Sequence, residues 1–174
     1  GSNIVFHNTG TVNVQSGRLV LQGGDGGSTT GSFSISSGAT LDFASDFNLT
    51  ATANITGAGT AEFSAGTVNI LSSSIANVLI DGSGTANFNS TTSAASLTLA
   101  SGPLGGSGNF PSTGLFTWEG GTLSGTGVTN ANGGILFDGY YVYLDQRTLN
   151  NAAGQTATFA TPYGLYFFNG ATFN

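Results

Sequence analysis

A glycine, a small or polar residue, then apolar, polar, apolar: this phrase recurs through the first half of the chain. It reads GTVNV from Gly10, GRLVL from Gly17, GSFSI from Gly31, GATLDF from Gly38, GTAEF from Gly59, GTVNI from Gly66 and GTANF from Gly84. The alternation sends Val12 and Val14 to one side and Asn13 to the other, the period of a half-buried strand, and the glycine marks a turn before it. The copies also repeat over a longer distance. Gly10 and Gly31, Gly17 and Gly38, and Gly38 and Gly59 are each 21 positions apart, a period typical of stacked-repeat architectures. Three short strands fit each period, so the spacing predicts an all-β parallel β-helix whose coils stack at the ~4.8 Å separation of neighbouring strands. A β-sandwich is the alternative, but its turns are expected every ~8–12 residues, whereas these are about seven apart.

The alternation predicts an inward set of Val12, Val14, Leu19, Leu21, Phe33, Ile35, Leu41, Phe43, Phe47, Leu49, Ile55, Phe63, Val68 and Ile70. The stretch Gly23–Thr30 has no apolar residue and reads as a loop leaving the first coil. Beyond Ile70 the phase loosens. A second glycine-rich interruption, 101–114, carries Pro103 and Pro111, which are expected in turns or at an edge because proline has no N–H to give a ladder. Strands then resume with LFTW, ILF, YVYL, TATF and LYFF. Residues 1–174 read as a single solenoid domain, either a segment of a longer array or a fibre subunit. Gly1-Ser2 has the form of a cloning remnant, which would place any export signal upstream.

Composition narrows the partners. Lysine is absent, the two cations are Arg18 and Arg147, and the formal charge is −6, so nucleic acid is not expected to bind, since its affinity rests on several Lys or Arg contacts to phosphate. Anionic membranes are excluded on the same count, and no apolar run approaches the ~20 residues of a membrane-spanning helix. There is no cysteine and no D-x-D-x-D-G calcium loop, so neither a metal nor a cofactor is expected. A chain with few charges, rich in Ser, Thr and Asn and without Lys or Cys, suits an extracellular or bacterial cell-surface location.

GTVNVQSGRLVLQGG, GSFSISSGATLDF, LFTWEGGTLSGTG, RTLNNAAGQTATF and the closing NGATFN resemble the degenerate repeats of large secreted bacterial surface proteins, the filamentous-haemagglutinin-like and autotransporter-type β-solenoids. The resemblance covers most of the chain. It implies a right-handed parallel β-helix acting as an adhesin stalk or cell-surface fibre, and it carries over no catalytic residue.

Three sets of residues are candidates for function. Asp42 and Glu62 each precede an inward phenylalanine and lie 20 positions apart, about one coil, so they are expected on adjacent rungs of one face. Paired carboxylates are the machinery of glycoside hydrolysis, but a catalytic pair also needs a cleft and shifted pKa values. The reading taken is two solvated acids on an open face and no enzymatic activity. Second, if Val142, Leu144, Leu165 and Phe167 face in, then Tyr141, Tyr143, Tyr166 and Phe168 face out together, a contact surface for carbohydrate or a host surface. Third, neither end carries an evident cap, so Ile4, Phe6, Phe168 and Phe173 are expected to meet neighbouring repeats, or a second copy, head to tail. Asn13, Asn69 and Asn87 are expected to stack as amide ladders. The function read from these features is a structural stalk or filament segment. A polysaccharide-binding or polysaccharide-cleaving β-helix is the alternative, and a further one is an ice-binding face using Thr40, Thr60, Thr85 and Thr122.

Overall fold

The computed structural model describes residues 4–174, so Gly1-Ser2 lies outside the described residues. Among those residues every regular element is a strand, and every strand pairing is parallel. The chain winds as a three-sided solenoid. Its second face is one sheet of eight rungs, from Arg18–Leu21 through Thr40–Ala44, Thr60–Ala65, Asn77–Ile80, Leu97–Leu99, Phe116–Trp118 and Ile135–Phe137 to Ala157–Phe159. The third face runs from Phe47–Leu49 to Leu165–Phe168. The first face begins with Thr11–Val14, Ser32–Ile35 and Ile55–Gly57 and continues as a second sheet from Ser74–Ile75 to Thr172–Phe173.

All fourteen residues of the expected inward set lie in or against the core, with Val12 and Leu19 partly exposed on the first coil. The loosened phase after Ile70 is a shortening of the coil. Leu41 pairs with Ala61 at a step of 20, Ala61 with Val78 at 17, and Val78 with Leu97 at 19. The last steps lengthen to 22 from Ile135 to Ala157 and 23 from Leu144 to Phe167. Apart from one register shift between Phe43 and Ala44, where Ala44 pairs with Ala65, the slack is taken up at the corners.

One inward row shows this continuity. Leu21, Phe43, Phe63, Ile80, Leu99, Trp118, Phe137 and Phe159 are successive ladder partners across all eight rungs of the second face. Of the adjacent aromatics in this row, Phe43 stacks on Phe63 at 5.4 Å and Phe137 on Phe159 at 4.1 Å, while Trp118 and Phe137 are tilted at 5.7 Å. Trp118, the largest buried side chain, satisfies its indole N–H on the carbonyl of Gly120 at 2.8 Å. The corner entering the third face is a column of glycines: a Cβ at Gly102 would collide with the carbonyl oxygen of Gly84, and one at Gly121 with that of Gly102. Both also have positive φ, which L side chains rarely adopt.

The prolines depart from expectation. Pro103–Gly105 and Asn109–Ser112 are interior rungs, not turns or edges. Pro103 is tolerated because it opens its strand. Pro111 lies beside a preceding rung of only two residues, Ser93–Ala94, paired with its strand through Ala94 and Ser112. Asn13 also departs: it pairs with Ser34 on the first face, away from the amide ladder that Asn48, Asn69 and Asn87 form on the third. There Asn69 Nδ2 donates to Asn48 Oδ1 at 2.9 Å and Asn87 Nδ2 to Asn69 Oδ1 at 3.2 Å. A second ladder joins Asn130, Asn150 and Asn174 at 2.8 and 2.9 Å.

Candidate functional site

Asp42 and Glu62 are direct ladder partners on the second face, as the 20-residue spacing predicts. Their environment is not the expected one. Both are buried, at 2 % and 3 % exposure, because Arg18 reaches over them from the first coil. Its Nη2 donates to Asp42 Oδ2 at 2.9 Å and to Glu62 Oε1 at 2.6 Å, while Ser64 Oγ donates to Asp42 Oδ1 at 2.7 Å. The pair is therefore a bridged, covered cluster and not two solvated acids. Burial raises the pKa of Glu62, an effect opposed by the hydrogen bond from Arg18 and reinforced by the charge of Asp81. One guanidinium shared by carboxylates of adjacent rungs ties the first three coils together. The hollow of about 330 Å³ beside Arg18 is lined by Asn13, Val14, Gln15, Ser16 and Leu19, with neither acid in its wall.

The second cation has a different role. Arg147 is fully buried with no carboxylate beside it, and burial lowers its pKa to about 10. Its guanidinium donates to the carbonyls of Gly106, Ser124 and Gly108 at 3.0, 3.0 and 3.1 Å and to Thr129 Oγ1 at 2.7 Å. The planar fork thus closes a corner shared by three coils, gathering corner carbonyls of which that of Gly106 also accepts the Gly127 N–H. Gly127 leaves room for it, since a Cβ there would meet both terminal nitrogens. Counting Arg147 as a general cation gave no hint of this staple, although an arginine within a strand-dense stretch lacking acids at ladder spacing was a signal.

The aromatic residues gather as the alternation predicts, and further. Val142 and Leu144 are buried while Tyr141, Tyr143, Tyr166 and Phe168 face outward. Tyr143 pairs with Tyr166 across adjacent rungs, their ring centroids 5.8 Å apart, with Tyr141 to Tyr166 at 5.6 Å and Tyr143 to Phe168 at 6.1 Å. Sequence reasoning missed Tyr140 and Tyr163, which sit on corners and not in strands. Tyr163 contacts Tyr140 at 5.2 Å and Tyr141 at 5.1 Å. All five tyrosines of the chain thereby join one surface.

The ends are unlike one another. At the start, Ile4 is exposed but Phe6 packs against the core, and the Gly23–Thr30 stretch, expected to leave the coil, folds back as a partial first rung of the third face. Thr29 bridges Leu49, and Asp25 is buried beneath it. This end is partly capped, contrary to the expectation of two bare ends. At the finish, the edges of Ala157–Phe159, Leu165–Phe168 and Thr172–Phe173 are the outermost rungs of all three faces, and no residue of that coil is fully buried. Phe173 packs against Phe137 at 6.2 Å. Phe168 belongs to the side face with Tyr143, so the rings presented along the axis are Phe159 and Phe167, in register with Phe137 and Leu144.

The four threonines considered for ice binding do not share a rank. Thr40 and Thr60 pair on the second face, whereas Thr85 and Thr122 lie on the third with Pro103 on the rung between them. Compared with protein-family models, with curated proteins and with solved structures, the chain matches none.

Proposed function

We propose that the chain is a non-enzymatic structural solenoid, a segment of an extracellular bacterial adhesin stalk or surface fibre that lengthens by coil-on-coil stacking. The observation that carries this reading is the last coil. Phe159 lies on Phe137 at 4.1 Å with ring planes 7° apart, yet is 54 % exposed; it ends an inward row that runs unbroken from Leu21. Three parallel ladders stop beside it with their outer N–H and C=O groups unpaired, and such an edge is a template for another strand. Apolar area gains ~25 cal/mol per Å² on burial, so a further rung gains both pairing and burial.

The opposite end offers a matching edge on two faces. Thr11–Val14 and Arg18–Leu21 are outermost rungs with Val12 and Leu19 only partly covered. A last coil meeting a first coil is a heterologous contact, which propagates instead of closing. Composition supports the location, since lysine and cysteine are both absent. The bridged state of Asp42 and Glu62 supports a structural role for the one acid pair considered for catalysis.

Sedimentation velocity over a wide concentration range tests the reading. The chain is expected to form larger species as concentration rises, and Phe159→Asp, which alters an exposed ring, is expected to remain monomeric with an unchanged circular dichroism spectrum. A chain that stays monomeric at every concentration overturns it.

A further inference from the structure

We propose that the tyrosine face on the last two coils is a binding site for a neutral polysaccharide chain, a function beyond end-to-end stacking and independent of it. Six rings, Tyr140, Tyr163, Tyr141, Tyr166, Tyr143 and Phe168, form an unbroken series in which each contacts the next at centroid distances of 5.1 to 6.1 Å. The remaining aromatics of the solenoid point mainly into the core. The third face changes character along its length: one outward row carries Asn48, Asn69 and Asn87 and the other Thr67, Thr85, Pro103 and Thr122, and only at the end do the rows become aromatic, with Phe168 in the first and Tyr143 and Tyr166 in the second.

The rings are held in place. Tyr143 and Tyr166 sit on paired strands, and Tyr140 is anchored by its N–H on the carbonyl of Glu119 at 2.7 Å. The corner carrying Tyr163 is tied by Thr161 Oγ1, which donates to the carbonyl of Gly139 and accepts the Tyr163 N–H. Gly164 lets the Tyr166 ring lie against the backbone, since a Cβ there would stand 3.1 Å from it. Hydrogen bonds in this region are made by Thr161, Asn169 and backbone groups, which leaves the tyrosine hydroxyls free among the described residues. Rigid rings with free polar tips give a ligand apolar contact and hydrogen bonds at little entropic cost. A sugar ring, with C–H groups on its faces and hydroxyls at its rim, has the complementary chemistry.

Charge and area select the occupant. Asp145 lies in register with Phe168, Glu119 and Asp138 flank the Tyr140 corner, and Arg147 is buried in the core side of the same coil. The face therefore offers no cation to an acidic or sulfated glycan, and the ligand is neutral. The rings are 38 % to 70 % exposed, which at ~150–250 Å² per aromatic side chain leaves roughly 430–710 Å² open. A stable protein–protein contact needs ~800 Å² from each partner, more than the rings alone supply, whereas a glycan chain lying along the rings matches their extent.

Affinity gel electrophoresis of the whole chain in gels containing hydroxyethyl cellulose, galactomannan or soluble starch tests this, with polygalacturonate and chondroitin sulfate as anionic counterparts. Retardation is expected in at least one neutral gel and in neither anionic gel. The double variant Tyr141→Ala/Tyr166→Ala is expected to lose at least tenfold in affinity with an unchanged β-type circular dichroism spectrum, and Phe159→Asp, which blocks stacking, is expected to bind like the parent. No retardation in any neutral gel, retardation kept by the folded double variant, or preference for the anionic gels would overturn the proposal. So would self-association that the double variant abolishes, since the face would then be an interface between copies.

Discussion

Asp25 Oδ2 accepts the backbone N–H of Asn48 at 2.7 Å, doing for that N–H what a carbonyl of a preceding rung does within a ladder. The same carboxylate accepts the Gly27 N–H at 3.1 Å and the Thr29 hydroxyl at 3.3 Å. A single side chain thus closes the first edge of the third face and shapes the loop that covers it. Replacing it leaves the buried Thr29 hydroxyl and the part-buried N–H groups of Gly27 and Asn48 without this partner, at roughly 1–3 kcal/mol. Asp25→Ala is expected to destabilise the chain by about that amount in urea melts, and to raise the exchange rate of the Asn48 amide before that of Asn69 or Asn87.

The Arg18 bridge makes a prediction in pH. Glu62 has a raised pKa, so the folded chain binds its proton more tightly than the unfolded chain. Stability therefore falls as pH rises from the ordinary carboxylate range through the raised value. Arg18→Ala removes the interaction that opposes this rise, leaving two adjacent carboxylates without a cation. Because Arg18 is itself half exposed, the expected loss at pH 7 is moderate, about 1–2 kcal/mol. The gap from the parent is expected to narrow on acidification as Glu62 protonates, and Glu62→Gln is expected to flatten the profile.

Arg147 should tolerate no substitute. Arg147→Met strands the carbonyls of Gly108 and Ser124 and leaves that of Gly106 with only the Gly127 N–H, and Arg147→Lys keeps a charge but cannot fork to all three. Both variants are expected to lose roughly 2–4 kcal/mol in urea melts; near-parental stability of the lysine variant would refute the staple.

A glycine of the column and a glycine at another corner make a sharper distinction. Gly121→Ala meets both a positive φ and the Gly102 carbonyl, and is expected to cost about 1–3 kcal/mol. Gly154 also has positive φ, but open space lies where its Cβ would stand. Gly154→Ala is therefore expected to cost only the conformational part, at most ~1–2 kcal/mol.

Much of this was legible in the chain. Alternation and the 21-residue spacing gave the parallel coil, the inward set and the adjacency of Asp42 with Glu62, because strand period and coil length are fixed by backbone geometry. What lies across the axis or over the surface was not legible. The reach of Arg18 to two rungs depends on a side chain leaning along the face, and the burial of Arg147 depends on which carbonyls a corner leaves unpaired. Tyr140 and Tyr163 were missed because strand alternation says nothing about corners. Pro103 and Pro111 misled because a rule about missing donors takes no account of a strand's first position or a shortened neighbouring rung.

Amide hydrogen exchange of the chain, dilute and concentrated, measures the open end directly. Amides of Ala157–Phe159, Leu165–Phe168 and Thr172–Phe173 are expected to exchange fast when dilute and to gain protection with concentration, while central rungs such as Leu97–Leu99 stay protected throughout. Equal exchange of the last coil at every concentration would contradict stacking at that edge.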